Sequence, residues 1–261
     1  MLMKALIHHI HAKSKRGVWN ANRGTARVKW STATLWACLS IFALNSCGLD
    51  VVPFLYPPDS PSAIGSGVQF LHDTRNNDTP QSDNFRGYEV YYKFYDFSGA
   101  GNGETQLQND RNAIEADPIP PGTSRLTARN YRRLRSLRND GSLEARLPLI
   151  PVAIGSTPSL QLLFSGSPGV EGAFVLRNNN DADATPLVRA INDGEERPRL
   201  FYGVEEYAAN HADIPNTINL PNDSAALRIA FYAVAYGVQP DFRPLYSIPK
   251  FLANEIPLDF Q

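Results

Sequence analysis

Arginine is the residue whose spacing most suggests chemistry here. Arg125, Arg129, Arg132, Arg133, Arg135 and Arg138 crowd into fourteen positions. A planar guanidinium binds phosphate or carboxylate through two parallel hydrogen bonds, so such a cluster suits an anionic partner. The stretch Arg125–Arg138 reads as a helix, with Thr123 or Ser124 as N-cap and Gly141 beyond its end. Leu126, Leu134 and Leu137 form a narrow apolar stripe on it. Arg125, Arg129, Arg132 and Arg133 are then the candidate contacts to an anionic lipid surface, an acidic polymer or a protein. The plainer alternative is a solvated helix whose arginines pair with Asp110, Glu115 or Asp117.

Other polar groupings carry less. After Cys47 the chain has two histidines, His72 and His211, and no short ligand spacing, so no metal site is expected. Val68, Phe70 and His72 share one face of a short strand, which makes His72 a hydrogen-bonded core histidine. Ser98-Gly99-Ala100-Gly101-Asn102-Gly103 follows a strand as a phosphate-cradling loop would. It lacks the Lys-Ser/Thr and the apolar helix that should come next, and reads as a flexible loop. Asn178–Asp183 offers hard oxygen ligands without the glycine or terminal glutamate of a calcium loop, and reads as a polar turn. Ser165-Gly166-Ser167-Pro168-Gly169 lacks the spacing of a nucleophile elbow. No catalytic residue, cofactor or metal is expected.

Charge divides the chain into two objects. Residues 1–46 hold seven Lys or Arg and no acidic residue, which leaves 18 basic against all 26 acidic residues afterwards. An acidic remainder and the lack of an interleaved aromatic platform exclude nucleic acid as a partner. Within the basic leader, Ser31–Leu44 is an apolar run too short to cross a bilayer. Leu44-Asn45-Ser46-Cys47-Gly48 closes it. This arrangement resembles a bacterial lipoprotein signal, with its positive region, apolar region and acceptor cysteine. Asn45 departs from the strictest pattern and is similar to the relaxed signals of spirochaete lipoproteins. The resemblance implies removal of residues 1–46, diacylglyceryl on the Cys47 thiol, and a membrane anchor in the cell envelope. The leader is long, and Val18 or Val28 offers an alternative start. Residues 48–261 contain no cysteine, so the exported part is held without disulfides.

Residues 47–66 hold Pro53, Pro57, Pro58 and Pro61 and read as a tether, or as a first edge strand through Leu49, Val51, Val52, Phe54 and Leu55. Phe85–Tyr95 is the strongest strand. Tyr88, Val90, Tyr92 and Phe94 alternate with Glu89, Tyr91, Lys93 and Tyr95, and period two turns the first set inward. Leu227, Ile229, Phe231, Ala233 and Ala235 repeat the pattern. Val68-x-Phe70-x-His72, Gly87-Tyr88-x-Val90-x-Tyr92, and Ala235 followed by Ser247-x-Pro249 resemble strands of a fibronectin type III domain. Ile229 stands where that family has its corner tyrosine, and the resemblance covers only 60–97 and 225–251. It implies that strands 86–96 and 227–236 are neighbours in one sheet.

The expected fold is therefore mainly β: a fibronectin type III or immunoglobulin-like β-sandwich over 67–252. A large helix-containing insertion occupies 98–224, and 253–261 is a tail. Short strands are expected at Leu147–Ala153, Leu160–Ser165, Ala173–Arg177, Leu187–Ile191 and Leu200–Tyr202. The function expected is non-catalytic binding or structural support by an envelope lipoprotein. The rival is a carbohydrate- or peptide-cleaving enzyme with its site in the insertion, which would need a deep pocket of converging carboxylates.

Overall fold

A computed structural model describes residues 53–65, 67–98, 101–137, 143–144, 148–165, 172–178, 180–189, 199, 201, 211–218, 226–252 and 256–257. The chain divides into two units, Met1–Val52 and Pro53–Gln261. The leader and Cys47 lie outside the described residues. The second unit is mainly β, with antiparallel sheets that curl into half a barrel.

In chain order its elements begin with β1 (Asp59–Ile64) and β2 (Gly67–Leu71). The one-turn helix α1 (Gln81–Asn84) leads directly into β3 (Phe85–Asp96). Helices α2 (Gly103–Ile114) and α3 (Ser124–Ala128) come next, then the short strands β4 (Arg132–Arg133), β5 (Arg135–Ser136) and β6 (Ile150–Pro151). The strands β7 (Ser159–Ser165), β8 (Gly172–Arg177) and β9 (Asn180–Val188) follow as a meander. The long β10 (Leu227–Val238) and the short β11 (Pro244–Tyr246), β12 (Lys250–Phe251) and β13 (Ile256–Pro257) complete the elements among the described residues.

One sheet has the order β1-β2-β7-β8-β9-β5, and the other has β11-β10-β3-β4. Strands β3 and β10 pair antiparallel from Leu227 opposite Asp96 to Gly237 opposite Phe85. The two alternating runs are thus neighbours in one sheet, as the resemblance implied. Strands β11, β12 and β13 line the free edge of β10 in turn, and β4 and β6 line that of β3. At Arg132–Ser136 the chain crosses between sheets. Strand β4 bonds to β3, Leu134 N–H donates to the Val90 carbonyl (2.8 Å), and β5 bonds to β9. This crossing ties the sheets together along one side.

The sheets face each other over one core. Val68, Phe70, Leu160, Leu162 and Phe164 from one meet Tyr88, Val90, Tyr92, Phe94, Ile229, Phe231, Ala233 and Ala235 from the other. Phe164 stacks on Phe231 at 5.0 Å, and Phe70 meets Tyr88 edge-on at 5.5 Å. Each such ring, fully buried, contributes about 1.5–3 kcal/mol.

The opposite face of β3 and β10 is buried too. Tyr91, Tyr95, Ala230, Tyr232 and Val234 pack against Leu107 and Ile114 of α2, Leu126 of α3 and Tyr131. The residues after the glycine-rich loop therefore form a helix, contrary to the sequence reading. Leu107, Asp110 and Ile114 make its buried stripe at helical spacing.

The helix expected at Arg125–Arg138 stops at Ala128. Asn130 takes a left-handed conformation (φ +61°), Tyr131 N–H donates to the Leu126 carbonyl, and Asn130 N–H donates to Thr127. These are the bonds of a Schellman ending, which reverses the chain. Tyr131 and Leu134 are then buried in different cores, one on each side of the second sheet. Pro53–Ile64, within the stretch read as a tether, also lies on the domain. Leu55 is buried, and Asp59–Ile64 pairs with β2 as the sheet's edge. Prolines 53, 57, 58 and 61 are compatible with such an edge.

Candidate functional site

The four arginines singled out in the sequence end on internal partners. Arg125 donates to the carbonyls of Ile114, Ala116 and Pro118, closing the segment after α2. Arg129 lies 3.9 Å from Asp110, Arg132 donates to the Ala212 carbonyl (3.1 Å), and Arg133 reaches Glu89 (3.4 Å). Helical spacing no longer relates them, because β4 and the turn at Asn130 separate Arg132 and Arg133 from α3.

Three buried polar assemblies hold the layers together. In the first, the Asp110 carboxylate of α2 accepts from Lys93 Nζ (2.6 Å) and the Tyr95 hydroxyl (2.8 Å), and the Tyr95 and Tyr131 hydroxyls are 2.8 Å apart. Burial pushes both tyrosines far above the ordinary phenol range, so they stay neutral donors. The Tyr232 hydroxyl similarly donates to Glu115 (3.0 Å). These bonds fix α2 against the sheet.

The second assembly is an ion pair inside the core. Arg189 Nε and Nη2 donate to Asp213 at 2.9 and 2.7 Å, the Tyr92 hydroxyl donates to the same carboxylate at 2.9 Å, and the guanidinium lies 5.4 Å from the Phe94 ring centre. A buried Arg189 was not legible in the sequence, because a lone arginine between short strands carries no periodic signal. In the third, Glu89 is buried beside Tyr91 and Arg133, and desolvation raises its pKa against the pull of Arg133. Such a carboxyl is what an enzyme reading would seek. Here it is sealed, its side chain only 1% exposed.

Asp96 turns into the space beside Gly101, where any Cβ would collide with its carboxyl group. That carboxylate accepts from Ser98 N–H (2.8 Å) and the Thr217 hydroxyl (2.7 Å), so an acidic side chain occupies the space beside Gly101. Asn178 makes the left-handed turn before β9, and Asn180–Asp183 is extended strand rather than turn. The expected strands reappear as β6, β7, β8 and β9 with shifted bounds. Ile191, Leu200 and Tyr202 lie outside the described residues.

His72 is a core histidine whose protonation the network settles. Asn77 Oδ1 accepts Gly155 N–H (3.1 Å) while Asn77 Nδ2 donates to the Ser156 carbonyl (3.0 Å), so His72 Nε2 carries a proton and donates to Oδ1 (3.2 Å). In the neutral ring Nδ1 then accepts from the Tyr88 hydroxyl (2.8 Å), which itself accepts Asp73 N–H (3.1 Å). This neutral tautomer is fully bonded, and desolvation holds the pKa below the ordinary value. Beside it opens a cavity of about 440 Å³ lined by Asp59, Leu71, His72, Asp73, Arg75 and Thr157. It lies at the end of the domain where β3 begins and β10 finishes. Comparison of the chain with protein-family models, curated proteins and solved structures finds no match.

Proposed function

We propose that this chain is a lipid-anchored protein of the bacterial cell envelope, acylated at Cys47, with a binding or structural role rather than a catalytic one. The observation that carries the proposal is the basic leader, apolar run and Leu44-Asn45-Ser46-Cys47 in immediate succession. The division of the chain at Val52–Pro53 supports it, since cleavage before Cys47 would leave the unit holding both sheets whole. Several acyl chains make such an anchor stable, at roughly 0.8 kcal/mol per buried methylene.

The folded unit is read as fibronectin type III-like. In support, β4-β3-β10-β11 and β1-β2-β7 have the neighbour relations of the two sheets of that sandwich. The added β8, β9 and β5, and helices α2 and α3 on the second sheet, are this chain's own elaboration. The non-catalytic role is supported by the employment of Asp110, Glu115 and Asp213, which each hold tyrosines or cations in structural bonds. Metabolic labelling with palmitate tests the anchor: the wild type takes up label and Cys47→Ala does not. Label retained by Cys47→Ala would overturn the proposal.

A further inference from the structure

Among the described residues, the large apolar side chains that stand exposed are Phe54, Leu71, Ile154 and Phe242, at 45, 39, 62 and 87%. All four lie at one end of the unit. Phe54 meets Tyr56 edge-on (4.9 Å), and Tyr56 exchanges two bonds with Asn76 (2.8 and 2.9 Å). The next residue, Asn77, bonds Gly155, neighbour of Ile154, and His72, neighbour of Leu71. Leu55 reaches Gly237, where β10 enters the turn that carries Phe242. Opposite, Asp96 and the start of α2 occupy the far end of β3.

Phe242 is not exposed by looseness. It holds φ +66°, in a turn closed by Gln239 N–H to the Arg243 carbonyl and Phe242 N–H to the Gln239 carbonyl, both 2.9 Å. A left-handed conformation is unfavourable for a bulky residue, and such strain clusters at binding positions. Of the charges nearby, Asp73 pairs with Arg75 and Asp241 with Arg243. Asp59, Asp78, Asp83 and Arg86 are also exposed at this end, so it presents aromatic and aliphatic groups among scattered charges with no basic excess.

The chain also enters the folded unit here. Pro53 follows Cys47 by six residues. Whatever their conformation, six residues span at most roughly 22 Å. Resting on the Cys47 proposal, we infer that this end faces the bilayer, and that Phe54, Ile154 and Phe242 insert among the lipid headgroups. Phe and Tyr side chains suit that depth, and apolar burial of about 5–10 Å is what interfacial elements reach. The occupant is a zwitterionic lipid surface, since no unpaired cationic patch is built here. The far end, with α2, projects away from the membrane.

The three tryptophans, Trp19, Trp30 and Trp36, all precede Cys47, so the processed protein contains none and an introduced tryptophan reports alone. Phe242→Trp and Ile154→Trp place reporters on the inferred face, and Thr105→Trp places one on exposed α2 at the other end. Each palmitate-labelled protein, extracted from membranes in detergent, is reconstituted into phosphatidylcholine vesicles with and without brominated acyl chains. Bromine is expected to remove roughly half or more of the emission at 242 and 154, as for side chains at interfacial depth, and to leave 105 unchanged. Labelled protein that floats with vesicles but shows no quenching at 242 and 154 overturns the inference and leaves the anchor standing. Equal quenching at 105 overturns it as well. Absence of palmitate label overturns the anchor, and the orientation with it.

Discussion

The buried pair Arg189–Asp213 allows a quantitative test of how the core is held. Its side chains are 0 and 2% exposed, with two charge-assisted bonds of 2.7 and 2.9 Å and a third from Tyr92 at 2.9 Å. Removing one partner breaks both charge-assisted bonds of a buried pair, which costs about 3–5 kcal/mol. Asp213→Leu should be the worse single change, because it also removes the acceptor of the Tyr92 hydroxyl's 2.9 Å bond, at about 1–3 kcal/mol more. Arg189→Met leaves a carboxylate that keeps its Tyr92 bond. In the double variant no uncompensated charge remains, so its loss should fall short of the sum of the singles by about 3 kcal/mol or more. Urea unfolding of the four proteins measures this coupling. Additivity within about 0.5 kcal/mol would mean that each charge is solvated or partnered independently of the other, and that the pair is not coupled.

Three further outcomes follow from the geometry. Because folding lowers the His72 pKa, the unfolded chain binds more protons between the folded pKa and about 6.5; stability should be full above that pH and decline as pH falls through this window. His72→Gln should flatten the dependence of the urea midpoint over that range, and an unchanged slope would deny the neutral tautomer. Gly87 has φ +149°, and a Cβ there would collide with the Ile150 carbonyl, so Gly87→Ala should cost well over about 1 kcal/mol in thermal or urea unfolding. Phe94→Ala opens the core between Tyr92 and Phe201 and should cost about 3–5 kcal/mol, whereas a loss under about 1 kcal/mol would place that face in solvent.

The long central strands were legible because alternation is a local signal. Tyr88 through Phe94 and Ile229 through Ala235 repeat every second residue, and that period alone turns them toward one core. What alternation left open was the fate of the other face. Glu89, Tyr91, Lys93 and Tyr95 look solvent-bound in sequence, yet α2 and α3 pack over Tyr91 and Tyr95, Lys93 bonds Asp110 of α2, and Glu89 is buried beside Arg133. Helix α2 was missed because its stripe is narrow and includes Asp110, whose burial depends on Lys93 and Tyr95, residues reached only through the fold. The arginine-rich stretch was misread for the converse reason. Leu126, Leu134 and Leu137 mimic a helical stripe, while the decisive facts are the left-handed Asn130 and the pairing of Arg132 and Arg133 with Tyr92 and Tyr91. The apolar end was equally illegible. Phe54, Leu71, Ile154 and Phe242 are distant in sequence, and only the strand register brings them together.

The central claim is that the protein is held at the membrane through Cys47. Mass spectrometry of the N-terminal peptide from membrane-extracted protein tests it most directly. The expected result is a chain that starts at Cys47, with the mass of a diacylglyceryl thioether and an acylated amino group, and no peptide from residues 1–46. A chain that begins elsewhere, or a Cys47 recovered as a free thiol, would contradict it.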